Sequence, residues 1–483
     1  MKGKVEALTR IEFGTDGWRG IIAEDFTFDN VRVCAQAVAD YLRARGLAEH
    51  GLVVGYDTRF ASDRFAGAVA EVAAANEVPV ALCNSPAPTP VVSYSVLDRH
   101  AGGAVIITAS HNPGEWNGFK YKPEYAGSAS PEVVAELEDR IHVLQLADGA
   151  SVRRLPLAAA EQRGLIAYID PAPPYLAQVE RLVDVDRLRN AGITVVADAM
   201  HGAGIGYFRR ILEGGSTRLV EIRNDHNPLF PGMHNPEPIA RNLSALVQRV
   251  RAEGADVGLA TDGDADRIGI VDERGVFINS LETYGLLLLY LLDVRGRVGP
   301  AIRSVTSTAM ADRLGARYGI PIVETPVGFK YIGPKMMEID AIMGGEESGG
   351  FGFGGHIPER DAIVAGLYAL DLMVVRGRPF SGLLDYLAER AGPSFYERED
   401  VTFDASQRET ILRRVAEARP TSIDGARVVS VNEDDGKKFV LDDGSWLLIR
   451  FSGTEPLLRI YTETTRQNRV GRILALGREI AGV

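Results

Sequence analysis

Short apolar, β-branched runs recur along this chain, each stopping abruptly on small polar or charged residues, and helical apolar stripes lie between them. Leu52-Val53-Val54-Gly55-Tyr56-Asp57 is one such run, Ala104-Val105-Ile106-Ile107 a second, and both predict buried strands. Val31, Cys34, Val38 and Leu42 share one helical face, with Gly46 as a stop. An Ala/Val-rich helix is predicted from about 63 to 75, and Pro86, Pro88 and Pro90 form a stiff loop before the next helix. Ser130 followed by Pro131 is a helix cap with proline at the first helical position. Strand and helix alternate, which predicts an α/β unit with a parallel or mixed sheet.

The pattern restarts after a stretch, Arg163 to Pro174, that reads as a linker. Thr194-Val195-Val196-Ala197-Asp198 repeats the apolar-run-then-Asp arrangement, a helix spans roughly 240–252, and Val257-Gly258-Leu259-Ala260 delivers a charged loop. A third unit runs from about Asn279 through a Leu-rich helix, a strand near 302–305 and a helix near 309–318 to Ala341-Ile342-Met343 and another polar loop. The tail, from about Pro393, reads strand, helix, hairpin with Asp442-Asp443-Gly444 in its turn, strand, helix. The expected division is 1–162, 163–277 and 278–390 as α/β domains, whose loops meet at one cleft, and 391–483 as a smaller α+β domain.

Composition narrows the function. The chain has 483 residues, too many for one core, with 46% hydrophobic and 24% charged positions, as in ordinary globular proteins. A net charge of −12 argues against non-specific binding to nucleic acid or an anionic membrane, so any charge that attracts an anionic substrate must be local. Cys34 and Cys83 are the only cysteines, which makes no disulfide framework and fits a reducing compartment. No apolar segment follows Met1-Lys2-Gly3-Lys4, and the longest apolar run, Leu286 to Leu292, is short for a bilayer span and reads as a buried helix. The expectation is a cytoplasmic protein, monomer or homodimer, with no nucleic-acid or membrane partner.

Five loops carry the candidate chemistry. The strand 104–107 runs into Thr108-Ala109-Ser110-His111-Asn112-Pro113, which sets Ser110 at a strand-to-loop turn as a candidate nucleophile or phosphate carrier; a turn residue is the plainer alternative. Phe13-Gly14-Thr15-Asp16-Gly17-Trp18-Arg19-Gly20 is a tight loop where backbone can approach a ligand and Arg19 can meet a phosphate. Asp262, Asp264 and Asp266 alternate over five residues and repel one another unless a cation lies between them; oxygen ligands favour Mg²⁺ or Ca²⁺. A calcium EF-hand is a rival, since Glu273 falls at the twelfth loop position, but Arg267 replaces the required glycine and the flanks read as strands. A phosphatase with a metal-bound Asp nucleophile and a solvated acidic turn are further alternatives. In Glu346-Glu347-Ser348, carboxylate and hydroxyl suit vicinal sugar hydroxyls, or form a plain acidic loop. Arg450, Ser452, Gly453 and Thr454, with Arg459 beyond, converge guanidinium, hydroxyls and backbone N–H in a way that suits phosphate.

Together these loops, with Asn117-Gly118-Phe119-Lys120 after the first, resemble the α-D-phosphohexomutase family from Phe13 to the C-terminal helix. The resemblance implies four domains around a central cleft, three mixed α/β and a fourth like the TATA-binding protein. It implies a phosphoryl group on Ser110, Mg²⁺ held by Asp262, Asp264, Asp266 and that phosphate, and reading of sugar O3 and O4 by Glu347 and Ser348. Arg450, Ser452, Gly453 and Thr454 would grip the non-reacting phosphate, while Arg19, His111, Lys120 and Arg267 surround the reacting one, with Lys120 as acid or base. The implied reaction interconverts hexose 1- and 6-phosphates, with glucose 1,6-bisphosphate as intermediate and activator and sugar phosphates as the small-molecule partners. Glu346-Glu347-Ser348 and Gly328-Phe329-Lys330 are closer to members acting on glucose phosphates, with Phe329 in place of a tryptophan. Lys330 can donate to a 2-hydroxyl and would repel an amine. Gly14-Thr15-Asp16-Gly17 points instead to the glucosamine members, and Ala265 stands where many members have glycine. A phosphatase and a non-catalytic sugar-phosphate sensor are the competing classes; a second phosphate clamp and a retained Ser110 argue against each in turn.

Overall fold

The computed structural model describes residues 11–147, 149–451 and 457–483. Its first sheet has the order Trp18–Ile21, Trp116–Pro123, Gly103–Ile107, Leu52–Tyr56, Val80–Cys83, Ile166–Ile169. The last four strands of that order are parallel, and Trp116–Pro123 returns antiparallel to Gly103–Ile107. The second sheet repeats the plan, with Val257–Thr261, Thr194–Asp198 and Arg218–Ile222 parallel and Ile268–Asp272 returning antiparallel. The third does so again: Ile322–Thr325, Ala301–Ser304 and Met343–Gly345 are parallel, and Phe351–Phe353 returns. In each sheet the loop with candidate chemistry is the connection from the end of a parallel strand into its return strand, and so sits at the carboxyl edge where open α/β sheets bind ligands. The tail is an antiparallel sheet, Phe395–Thr402, Leu457–Thr464, Trp446–Phe451, Lys437–Leu441, Ala426–Asn432 and Ser422–Ile423, with the helix Val470–Ala481 against it. Three mixed α/β sheets and a β-rich C-terminal domain are the architecture expected from the sequence.

Local signals account for most elements. Ser130 caps Pro131–Leu146 through the Val133 N–H, and Asn279 caps Ser280–Asp293 in a capping box with Glu282. Pro90 lies in the first turn of Thr89–Arg99 and not in the preceding loop, because its fixed φ suits that position. The linker reading of 163–174 is corrected. Ile166–Ile169 pairs in parallel with Val80–Cys83 as the edge of the first sheet, so a break between 162 and 163 cuts off a strand of that sheet. An edge strand needs little apolar cover; with two of its four residues exposed, it does not stand out from a polar connection.

The second and third sheets share one core. Val195, Leu259 and Ile270 of the second sheet and Ala301, Met343 and Phe351 of the third belong to one apolar cluster, filled by the helices Ser280–Asp293 and Ala362–Arg376. Both helices are buried almost all round, as a helix between two sheets must be. The first sheet and the tail have separate cores. Cys34 and Cys83 are buried and unpaired. No helix among the described residues is long and apolar enough to cross a membrane. Leu288→Ala in the shared core is expected to destabilise by about 2–5 kcal/mol, measured by denaturant unfolding. Hydrogen exchange should speed up in both the second and third sheets while the tail sheet stays protected; loss confined to one sheet would contradict a shared core.

Candidate active site

Ser110 lies just past the strand Gly103–Ile107, fully buried, with φ of +52°, a left-handed conformation unusual for a residue with a side chain. The surroundings fix it. The Ser110 N–H donates to Thr108 Oγ1 (2.9 Å). From beneath, the Arg59 guanidinium donates to four loop carbonyls, those of Ser110 (2.7 Å), Asn112 (2.6 Å), Pro113 (2.7 Å) and Trp116 (3.0 Å). Asp57 holds Arg59 through Nε (3.1 Å), and Phe230 covers the guanidinium at 4.9 Å. Arg59 was not singled out from the sequence. Its signal is slight: a charged residue two positions after the strand-ending Asp57.

The Ser110 hydroxyl donates to Asp262 Oδ2 at 2.8 Å. The two loops come this close because residue 263 is glycine; a Cβ there would lie 2.3 Å from the Ser110 carbonyl oxygen. Asp262, Asp264 and Asp266 are all fully buried, and one oxygen from each falls within 4.8 Å of the others. Asp264 Oδ2 is taken by Thr89 Oγ1 (2.6 Å) and Lys120 Nζ (2.8 Å), and Asp266 Oδ2 by Lys120 (3.1 Å) and Arg360 (2.8 Å). Their Oδ1 atoms are buried without a hydrogen-bond partner among the described residues. Burial, then the charges of Asp266 and Asp264, push the Asp262 carboxyl well above the usual range. Orphaned carboxylate oxygens that raise a neighbour's pKa are what a hard divalent cation relieves, so the donor set fits one. The EF-hand alternative falls away, since the loop joins two paired antiparallel strands and not two helices. Ala265 adopts φ of +55°, which gives a physical reason for glycine at that position.

Behind the triad lies a layer of buried charge of which the sequence reading named only Lys120 as a site residue. Lys120 Nζ contacts Asp16 (2.7 Å) besides Asp264 and Asp266, and Arg360 bridges Asp16 (2.7 Å) and Asp266. Lys122 joins Asp16 (2.8 Å) to Glu359 (2.6 Å), which also accepts from Ser128 Oγ (2.7 Å). Burial alone would lower the Lys120 pKa, but its carboxylates outweigh that and raise it, so Lys120 is charged. His111 is opposite in sense. Burial, then Arg267, Arg19, Arg59 and Lys120, hold its imidazole well below the usual range, so it is neutral, with Nδ1 3.4 Å from Ser110 Oγ. Arg19 donates to Asn112 Oδ1 (2.8 Å) and Arg267 to Glu237 (3.3 Å). Burial first, then the nearby Arg267, depress the pKa of Arg19. Two guanidinium groups close enough to repel, beside a buried hydroxyl, suit an anion with more than one charge.

The other loops reach the same cleft. Arg267 forms a β-bridge with Gly350, and the Ile268 N–H donates to the Gly349 carbonyl (3.0 Å), which ties the acidic loop to the Glu347 loop. Glu347 Oε1 accepts from Tyr396 (3.1 Å) and Arg398 (3.1 Å) of the tail sheet, and Ser348 Oγ is buried without a partner among the described residues. Glu346 turns away and accepts from the Gly328 N–H (2.8 Å). Lys330 donates to the Gly14 carbonyl (3.4 Å), a contact between the third and first units. Arg450 and Arg459 face each other on adjacent strands; Arg450 Nε is held by Asp435 (2.7 Å), and Arg459 Nε has no partner among the described residues. Ser452, Gly453 and Thr454 lie outside the described residues.

Four domain descriptions of one family match the chain in order. They are phosphoglucomutase/phosphomannomutase alpha/beta/alpha domain I over residues 10–147, domain II over 173–275, domain III over 281–391, and the C-terminal domain over 411–478. The chain belongs to the phosphoglucomutase/phosphomannomutase family. Members of this family are phosphotransferase isomerases. The chain is 30% identical to a "Phosphoglucomutase/phosphomannomutase" of Thermococcus kodakarensis over 465 residues, covering 96% of this chain and 97% of that one. It is 31% identical over 453 residues to a "Probable phosphoglucosamine mutase" of Methanothermobacter thermautotrophicus, covering 93% of each. A crystal structure from Thermus thermophilus, described as a "putative phosphomannomutase", superimposes with a TM-score of 0.83 at 32% identity, covering 99% of this chain and 100% of that one. The relatives' names differ in the sugar and agree on the phosphohexomutase family. Removal of divalent cations is expected to abolish phosphoryl transfer and Mg²⁺ to restore it. Full activity after chelation and dialysis, with metal absent by elemental analysis, would contradict the reading of the aspartate triad.

Proposed function

We propose that the protein interconverts glucose 1-phosphate and glucose 6-phosphate in preference to the mannose and glucosamine pairs, through a phosphorylated Ser110 and a glucose 1,6-bisphosphate that also serves as activator. The observation that carries the reaction is the buried Ser110 hydroxyl in its left-handed turn, 2.8 Å from Asp262 and beside two orphaned carboxylate oxygens. Phosphoryl transfer needs in-line positioning and charge neutralisation more than covalent help. In the forward half, the bond from phosphorus to Ser110 Oγ breaks as the bond to the sugar 6-oxygen forms; the 6-hydroxyl gives up its proton and the freed Ser110 Oγ takes one up. In the return half, the bond from phosphorus to the sugar 1-oxygen breaks as the bond to Ser110 Oγ forms; the Ser110 hydroxyl gives up its proton and the product leaves as glucose 6-phosphate with a free 1-hydroxyl. Arg19, Lys120 and Arg267 offset the phosphoryl charge, and His111, with Nδ1 3.4 Å from Ser110 Oγ, and the charged Lys120, held on Asp264, are the candidates to hand a proton to or from the reacting oxygens. Mg²⁺ held by Asp262, Asp264 and Asp266 with the Ser110 phosphate would add charge neutralisation at the transferring group.

The bisphosphate must turn over between the halves, so the sugar is read at positions that roughly exchange on a half-turn. Glu347 and Ser348 reading O3 and O4 meets that need, and Glu347 is fixed for it by Tyr396 and Arg398. Arg450 and Arg459, with Ser452, Gly453 and Thr454, take the phosphate that is not reacting. Choice among sugars then falls at C2. Lys330, tied to Gly14 across the cleft, is the candidate; it favours a hydroxyl over an ammonium. The glucosamine reading keeps the support of the Gly14-Thr15-Asp16-Gly17 loop and of the named archaeal relative.

Two measurements test the proposal. Intact mass before and after incubation with glucose 1,6-bisphosphate should show one phosphoryl group on the protein and none on Ser110→Ala, which should not turn over; normal turnover by that variant would overturn the carrier role. The kcat/KM values should fall from glucose to mannose to glucosamine 1-phosphate, and Lys330→Gln should narrow the gap between glucose and glucosamine. A higher value for glucosamine 1-phosphate would reverse the assignment.

A further inference from the structure

We propose that a pocket lined by Arg181, Arg295 and Arg297, between the second and third α/β units and apart from the catalytic residues, is a second anion site that takes a dianionic phosphoryl group. The pocket has a volume of about 290 Å³. Its arginines come from the end of the helix Ala172–Leu182 and from the turn after the helix Ser280–Asp293. Gln178, Gly355 and Tyr368 complete the part of the wall that matters here, and no carboxylate lines it.

The guanidinium groups are oriented by uncharged partners, with no direct ion pair. Arg181 donates through Nε to Gln178 Oε1 (2.9 Å) and through Nη2 to the Tyr94 hydroxyl (2.9 Å). Arg295 donates through Nη1 to the Leu182 carbonyl (2.6 Å) and to the Tyr290 hydroxyl (3.1 Å), and lies against the Tyr290 and Tyr368 rings at 5.9 and 6.0 Å. All these partners are uncharged. Arg297 makes no side-chain hydrogen bond or ion pair among the described residues. The neighbouring acids are committed elsewhere: Asp371 to Arg187 (2.8 Å) and Tyr290, Asp361 to Tyr175 and His356. In a chain with 65 acidic and 53 basic side chains, three exposed guanidiniums around one pocket with no carboxylate in direct contact, Asp371 reaching Arg295 only through the Tyr290 hydroxyl, mark a place for an anion. The donors left over on several planar forks match a phosphoryl group's oxygens better than a single-charge ion, and Tyr368 and Leu291 offer an apolar wall for a small organic moiety. A phosphate monoester and inorganic phosphate share this chemistry.

The test is arginine-selective dicarbonyl labelling of the full-length protein, read by peptide mass mapping, with glycerol 3-phosphate, inorganic phosphate and ionic-strength-matched potassium chloride as separate arms. Either phosphate is expected to slow modification of Arg181, Arg295 and Arg297 by about threefold or more, as simple occupancy requires, and chloride is not. Shielding by glycerol 3-phosphate alone identifies an organic phosphate as the ligand, and equal shielding by both identifies the phosphoryl group itself. In Arg297→Ala, protection of Arg181 and Arg295 should weaken while kcat/KM for the sugar phosphate stays unchanged. No shielding by either phosphate at about 10 mM, shielding matched by chloride, or loss of turnover in Arg297→Ala would overturn the proposal.

Discussion

One buried ammonium holds the catalytic cleft together. Lys120, on the return strand of the first sheet, touches Asp264 and Asp266 of the second sheet's loop and Asp16 of the first loop. Arg360, from the third unit, touches Asp16 and Asp266 as well. Charges taken out of water are a net loss unless every partner is present in good geometry, and removing one member of such a pair typically costs about 3–5 kcal/mol. No single unit can bury these groups on its own, because each supplies charges that another neutralises. The charge layer therefore makes the active site conditional on the docking of three units. The shared apolar core of the second and third units supplies the non-directional attraction, and the ion pairs select the geometry.

The three α/β units use one device for different ends. A parallel strand ends, the chain turns through a short loop and comes back antiparallel, so the loop is pinned at both ends by a ladder of backbone hydrogen bonds. Pinned loops tolerate strain that free loops would relax. Ser110 at φ of +52° and Ala265 at +55° both lie in such loops, and Arg59 ties four carbonyls of the first one from below. The same scaffold thus presents the Ser110 hydroxyl, the aspartate triad and the Glu347 carboxylate to one cleft.

The tail sheet takes part by a different route. It touches the Glu347 loop through Tyr396 and Arg398, and it binds Glu324 of the third sheet through Lys438 (2.6 Å) and Asn432 (2.8 Å). Asp435 divides its two oxygens between Arg450 and the Val327 N–H. The carboxylate that holds Arg450 therefore also anchors the tail to the third unit.

Contiguous features were legible in the sequence by itself. Ser110, the aspartate triad, Glu347-Ser348 and Arg450 each sit in a short motif whose candidate chemistry is suggested by residue type and spacing, and the apolar runs that carry them mark buried strands. The Leu-rich helix and the caps at Ser130 and Asn279 follow from local rules for the same reason. Ile166–Ile169 did not, since an edge strand buries too little to leave a pattern. Asp16, Arg59, Lys122, Glu359 and Arg360 were equally hidden as site residues. Each is an ordinary charged residue in its own neighbourhood, and its meaning lies in partners far along the chain, such as Asp16 for Arg360 and Glu359 for Lys122. Sequence fixes chemistry where it is local, because side-chain type and backbone period act over a few residues. Only the tertiary structure decides which buried charges meet, because the desolvation that makes those meetings matter does not exist until the units have packed.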